Sequence, residues 1–203
     1  MQANASMRPS ALLAVLLPFI LIAGCGTGEG PTRIPGTPAP PPPPVTCDNI
    51  NFEDGCGPFT FVDFAGGVAT IVANPGPAGI NTSTKTARMQ KFAGEVFGGS
   101  ALQLQQQIDF GRGQAFKMKV RAARAVPVLF KLEGSNSSSQ TDDRERTVSY
   151  GGSGAWEQLC FDFTGDTAGV SSRAITFIFD LGVNGNAASD PARWTFFFDE
   201  TFS

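Results

Sequence analysis

Carboxylates able to act together fall in three adjacent pairs, Glu53–Asp54, Asp142–Asp143 and Asp199–Glu200. A retaining glycosidase needs two carboxyl groups about 5–5.5 Å apart, an inverting one about 6.5–9.5 Å. Neighbours on a strand point to opposite faces, so an adjacent pair cannot supply such a couple. The chain has no His. That removes the common general base, the common transition-metal ligand and the Ser-His-Asp triad. These absences argue against an enzyme. The last pair closes the stretch RWTFFFDE, Arg193 to Glu200, in which three phenylalanines run into a doubled negative charge.

The elements that must position these acids are strands. AFKMKVR alternates cleanly, with Phe116, Met118 and Val120 on one side and Lys117, Lys119 and Arg121 on the other. PVLFKLE, AWEQLCFDF and AITFIFDLG alternate in the same way. RWTFFFDE offers Trp194, Phe196 and Phe198, or the opposite set. NINFE, FTFVDF, VATIVA, TARMQKF and SALQLQ come earlier. Between them lie NPGPAGINTST, EGSNSSSQTDD, YGGSGA and GVNGNAASDPA, which are turn chemistry. About ten short strands at regular spacing predict an all-β antiparallel sandwich, a jelly roll. DDRER reads as a solvated loop entering a strand. Phe is 18 of 203 residues, enough for a substantial core, while Trp is two and Tyr one. A net charge of -3 gives no basic face for nucleic acid.

The N-terminal segment has one Arg, an apolar run from Ala11 to Ala23, and then Cys25. The run is short for a membrane span and has the layout of a secretory signal. LIAGC resembles the bacterial lipobox, whose Cys is lipidated before cleavage ahead of it. The expected organisation is a lipoprotein signal peptide over 1–24, a lipidated Cys25 with a proline-rich tether over 25–46, and a β-sandwich domain over 47–203. The tether contains five consecutive prolines and favours extended polyproline II. The only expected membrane contact is the lipid. Placement is the outer membrane or cell surface. Export favours oxidation, so a Cys47–Cys56 disulfide clamping the first strand is expected, with Cys160 either free or competing for a partner.

From about Phe52 to Glu200 the chain resembles jelly-roll carbohydrate-binding-module-like domains of marine glycan-degrading bacteria. Those occur with laminarinase-type glycosidases or alone on surface lipoproteins. The resemblance rests on NFEDG, FTFVDFAGG, NPGPAGINTSTKTARMQKFAGEVFGGSALQL, IDFGRGQAFKMKV, VPVLFKLEG, WEQLCFDFTG, ITFIFDLG and FFFDE, in that order. It implies a non-catalytic, monomeric module that binds a polysaccharide, with β-1,3-glucan of laminarin type preferred. An envelope protein-interaction or adhesin domain is the alternative. The Glu-x-Asp-x-x-Glu of laminarinase-type glucanases is absent. In such sandwiches the first and last strands lie side by side, and a structural calcium often joins them. The resemblance puts one acid at Glu53 and one at Asp199, with Asn51, Asp54 and Glu200 as lesser ligands. Calcium takes six to eight oxygens, carboxylate and carbonyl mixed.

Sugar recognition wants flat apolar rings and planar polar side chains. Phe97, between glycines in GEVFGGS, is the stacking candidate, where the resembling domains often carry Trp; its other reading is a loop anchor. Tyr150 and Trp194 are rim candidates. Trp156 reads as structural. Arg121 is expected on an outer face with Lys119, Lys131 and Glu133, forming either a polar groove or a solvated surface.

Overall fold

The computed structural model describes residues 50–134 and 142–202. The signal segment, Cys25, the tether and Cys47 lie outside them. Ten strands form two antiparallel five-stranded sheets. One sheet holds β1 (Thr60–Phe64), β4 (Gly99–Gln103), β9 (Ser172–Phe179), β6 (Val126–Gly134) and β7 (Arg144–Tyr150), in that spatial order. The other holds β2 (Gly67–Ala73), β3 (Lys85–Lys91), β10 (Thr195–Phe202), β5 (Ala115–Ala122) and β8 (Glu157–Asp162). The molecule is the all-β jelly-roll sandwich that the alternation predicts.

Alternation decides what each strand buries. Phe116, Met118 and Val120 of β5 point into the sandwich and are at most 4% exposed. On β10 the ambiguous register resolves with Phe196 and Phe198 inward, both fully buried. Phe197 faces outward between its ladder partners Arg88 and Arg121. Rings from the two sheets meet in a chain across the core: Phe116–Phe130 at 5.3 Å, Phe130–Phe177 at 5.5 Å and Phe177–Phe198 at 4.6 Å between centroids. Each such pair adds about 0.5–1.5 kcal/mol beyond the area it buries.

Three expectations are corrected. NINFE is not a strand over its described residues, 50–53: among them only Ile50 pairs, by two backbone bonds to Thr201 of 3.1 and 3.0 Å. The break comes at Phe52, whose φ of 55° no strand accommodates. Its ring contacts with Phe59 (5.2 Å), Phe61 (5.9 Å) and Phe198 (5.7 Å) hold it there. DDRER is not all loop: the edge strand β7 already begins at Arg144 inside it, and its arginines, in phase with Val148 and the buried Tyr150, hid the alternation. Lys119 and Arg121 do not share a face with Lys131 and Glu133, because β5 and β6 belong to different sheets.

Candidate functional site

The two acids expected to work together both bond to one segment of the chain. Glu53 accepts backbone bonds from Thr84 N (2.6 Å) and Lys85 N (3.0 Å), and one from the Thr84 hydroxyl (2.5 Å). Asp199 accepts from Asn81 Nδ2 (3.0 Å), from the Ser83 hydroxyl, and from Glu200 N (2.8 Å). Both carboxylates therefore seat on the 81–85 segment. The sequence puts Asp199 on the outer face of β10, yet it is fully buried. The turn-rich loop after β2 folds over it, closed by Asn74 N to Thr84 O at 2.9 Å and by Asn74 Nδ2 to Ser83 O at 3.0 Å. Burial pushes the Asp199 carboxyl up from 3.8 to about 6, against its hydrogen bonds from Ser83, Asn81 and the Glu200 amide. Glu200, at φ 46°, breaks the alternation and pairs with Lys119, the ladder partner of Asp199. Adjacent acids at a bulge thus escape the opposite-face rule.

The oxygens here outnumber the protons. Ser83 Oγ lies 2.5 Å from Asn81 Oδ1, 3.0 Å from Lys85 O and in hydrogen-bond contact with Asp199 Oδ2. One hydroxyl hydrogen serves one of these three acceptors. Thr201, two residues beyond Asp199, has its hydroxyl oxygen buried without a hydrogen-bond partner among the described residues. A proton on Asp199 or a hard cation would relieve the crowding. This all-oxygen donor set, with Glu53 and Asp199 as carboxylates and Asn81, Ser83 and Lys85 O beside them, suits calcium. Among the described residues, no three acidic or cysteine side chains gather as a metal cluster, so backbone and hydroxyl oxygens would have to complete the shell. Asp54 instead pairs with Lys85, and Asn51 Oδ1 accepts Glu53 N at 3.2 Å.

The other end of the sandwich is organised by a buried cation. Lys91 follows Ala87 and Met89 in the inward phase of β3 and is 1% exposed. Its ammonium donates to three carbonyls: Val96 O (2.9 Å), Phe179 O (3.1 Å) and Asp180 O (2.9 Å). Burial lowers its pKa, and Asp180 partly offsets that. One side chain so ties the loop before β4 to the loop after β9. Gly182 N to Val96 O, 3.2 Å, and Gly94 N to Asn184 Oδ1, 3.2 Å, join the same loops. A side chain at Gly185 would collide with the Lys91 backbone. On these fixed loops Phe97 is 48% exposed, with Val96 (43%), Leu181 (42%) and Val183 (43%).

The remaining candidates sit elsewhere. Tyr150 is fully buried, its hydroxyl bonded to Ala155 O at 2.8 Å and taking Gly154 N at 2.8 Å, so its ring offers no face to a ligand. Trp194 is buried, with Arg124 at 5.0 Å and Arg193 at 5.5 Å from its ring centre. Arg121 donates to Gly154 O (2.9 Å) beneath a loop where a side chain at Gly76 would strike its guanidinium. Trp156 is structural as expected, donating to Gly76 O at 3.0 Å. Asn81, Ser83 and Lys91 went unseen in the sequence. The first two lie inside turn composition; Lys91 carried one signal, a charge at an inward position. Among the described residues no cysteine is free: Cys56 and Cys160 are both engaged. The expected partner, Cys47, lies outside the described residues.

The chain matches no protein-family model and no curated protein. It is similar in fold to several solved structures. One is an exo-beta-agarase, at 11% identity and TM-score 0.51, covering 75% of this chain and 24% of that one. Another is the family 11 carbohydrate-binding module of a cellulosomal cellulase of Clostridium thermocellum, at 11% identity and TM-score 0.49, covering 75% and 91%. A third is a xylan-binding family 22 module from Paenibacillus barcinonensis, at 10% identity and TM-score 0.47, covering 77% and 98%. At these identities the likeness is one of fold.

The Asp199 shift has a measurable consequence in chelated protein. Its folded pKa, about 6, lies above the ordinary 3.8. The folded state therefore holds the proton more tightly, and stability falls as pH rises between those values, by about 3 kcal/mol in all. Denaturant titrations in chelator across this range should record that fall, and Asp199→Asn should flatten it. Parallel curves for the two proteins would contradict the assignment.

Proposed function

We propose that this chain is a non-catalytic, surface-anchored lipoprotein module that binds a polysaccharide, with β-1,3-glucan of laminarin type as the preferred ligand. The observation that carries the reading is Phe97. A ring 48% exposed on loops held by a buried ammonium is a preorganised apolar platform. Aromatic faces stack on the apolar faces of sugar rings, and a fixed platform avoids the entropy of ordering a loop on binding. The missing catalytic couple and the absence of His support a binding role. The similarity to carbohydrate-binding modules supports it at the level of fold.

A second reading, an adhesin-like protein-interaction domain, is favoured by the grouping of Val96, Leu181 and Val183 around Phe97, since exposed apolar patches mark interaction sites. Titration calorimetry with laminarin, mixed-linkage glucan and xylan separates the two. The glycan reading expects saturable binding that Phe97→Ala weakens on the order of tenfold, with an unchanged melting temperature. No binding by a folded sample to any of the three polymers favours the protein partner.

Calcium belongs to the same proposal as a structural ion at Glu53 and Asp199. It would neutralise two carboxylates that share one backbone segment and would fasten the entering chain to the end of β10. Chelation should lower the melting temperature by roughly 5–10 °C, restored by added calcium. A melting temperature indifferent to chelator would remove the ion from the account. The lipid anchor at Cys25, with outer-membrane or surface placement, is tested by metabolic labelling: palmitate should enter the wild type and not Cys25→Ala. Equal labelling of both would refute it.

A further inference from the structure

We propose a second binding site, for neutral sugar residues, in the cleft at the end of the sandwich opposite Phe97; it rests on the polysaccharide reading above. β4 runs between the two, with Phe97 just before its start and Gln103 at its end. The cleft has a volume of about 780 Å³ and lies between the 55–59 segment and the 103–109 segment. Its floor includes Phe59, Leu104 and Ile108, half-buried and packed on the core. Its rim carries Gln103, Gln106 and Gln107, all exposed. None of these three side-chain amides has a hydrogen-bond partner among the described residues.

The amide-bearing loop is fixed, which separates it from a solvated tether. Leu104 N donates to Arg173 O at 2.8 Å, and Ile108 N to Ser172 O at 2.9 Å, so both ends of the run are bonded to the start of β9. Free planar amides on a fixed backbone, above an apolar floor, are what a pyranose needs: donors and acceptors for adjacent hydroxyls, and a surface for its C–H face. The charges on the rim are otherwise committed. Asp109 Oδ1 accepts Gly111 N at 2.9 Å within its own turn, and Arg112 is engaged by another group. The chemistry left to the ligand is that of the amides, which favours neutral sugars over uronates. Two contacts on one polymer would also raise avidity without strong affinity at either.

The test compares the full chain, a Gln103→Ala/Gln106→Ala/Gln107→Ala variant and Phe97→Ala by calorimetry against laminarin, mixed-linkage glucan and alginate. Gln106→Glu and Gln107→Glu serve as size-preserving controls. The expected result is neutral-glucan binding that the triple variant weakens on the order of tenfold or more, at unchanged melting temperature, with no alginate binding. Wild-type affinity in the triple variant, alongside loss in Phe97→Ala, overturns the cleft and leaves the polysaccharide reading standing. Alginate binding lost in the triple variant overturns the neutral class. A folded wild type that binds none of the polymers overturns both the site and the reading beneath it.

Discussion

Phe52 against Phe198, edge to face at 5.7 Å, is the contact on which the carboxylate end depends. Each ring belongs to a segment whose next residue is an acid. Burying Phe198 inward forces Asp199 to the outer face of β10. Burying Phe52 from a left-handed backbone turns Glu53 towards the Thr84 and Lys85 amides. The two carboxylates reach the same 81–85 segment because the two rings meet. The apolar layer thus does the positioning, at a backbone strain of order 1–3 kcal/mol that its ring contacts must offset. The doubled charge after the phenylalanines is then understandable: Asp199 is sealed under the loop after β2, and Glu200 leaves the alternation to join Lys119.

The opposite end uses a different device. Lys91 places a positive charge where an apolar side chain would ordinarily go, and satisfies it with three carbonyls from two loops. Burying an ammonium is costly unless its donors are all bonded, and here three bonds match three hydrogens. The result is a rigid loop pair that holds apolar side chains in water. A loop stabilised only by its own exposed residues would collapse or order on binding. The sandwich lies between these ends, and part of its outer surface is occupied by ion pairs, such as Lys131 with Glu133 (3.0 Å) and Asp143 (2.7 Å).

Much of this was legible in the sequence where period-two alternation ran unbroken, as in β5, β9 and the inward half of β10. It failed where the backbone left that period. Phe52 and Glu200 both sit at positive φ, and neither residue type announces it. The pairing of Glu53 with Asp199 was an expectation of the family resemblance; the burial of Asp199 was not. That burial depends on a loop of turn residues folding back over a sheet, a long-range event invisible to local pattern. Tyr150 and Trp194 were placed at the rim because glycine-rich and open loops adjoin them. Packing won instead: a large amphipathic ring buries itself when its polar atom or its face finds a partner, and here the Gly154–Ala155 turn and two arginines supply one. Gln103 was legible only as part of the strand SALQLQ, and Gln106 and Gln107 carried no signal, because their significance lies in side chains left unpartnered among the described residues.

The central claim is that glycan is held at the loop-bearing ends of the sandwich rather than on the outer faces of its sheets. Amide chemical-shift mapping of the isotope-labelled protein, titrated with a laminarin oligosaccharide, tests it most directly. The account predicts saturable perturbations at Val96–Gly98 and Leu104–Ile108, with the strand interiors quiet. Perturbations confined to the outward residues of the two sheets, or none at saturating ligand, would contradict it.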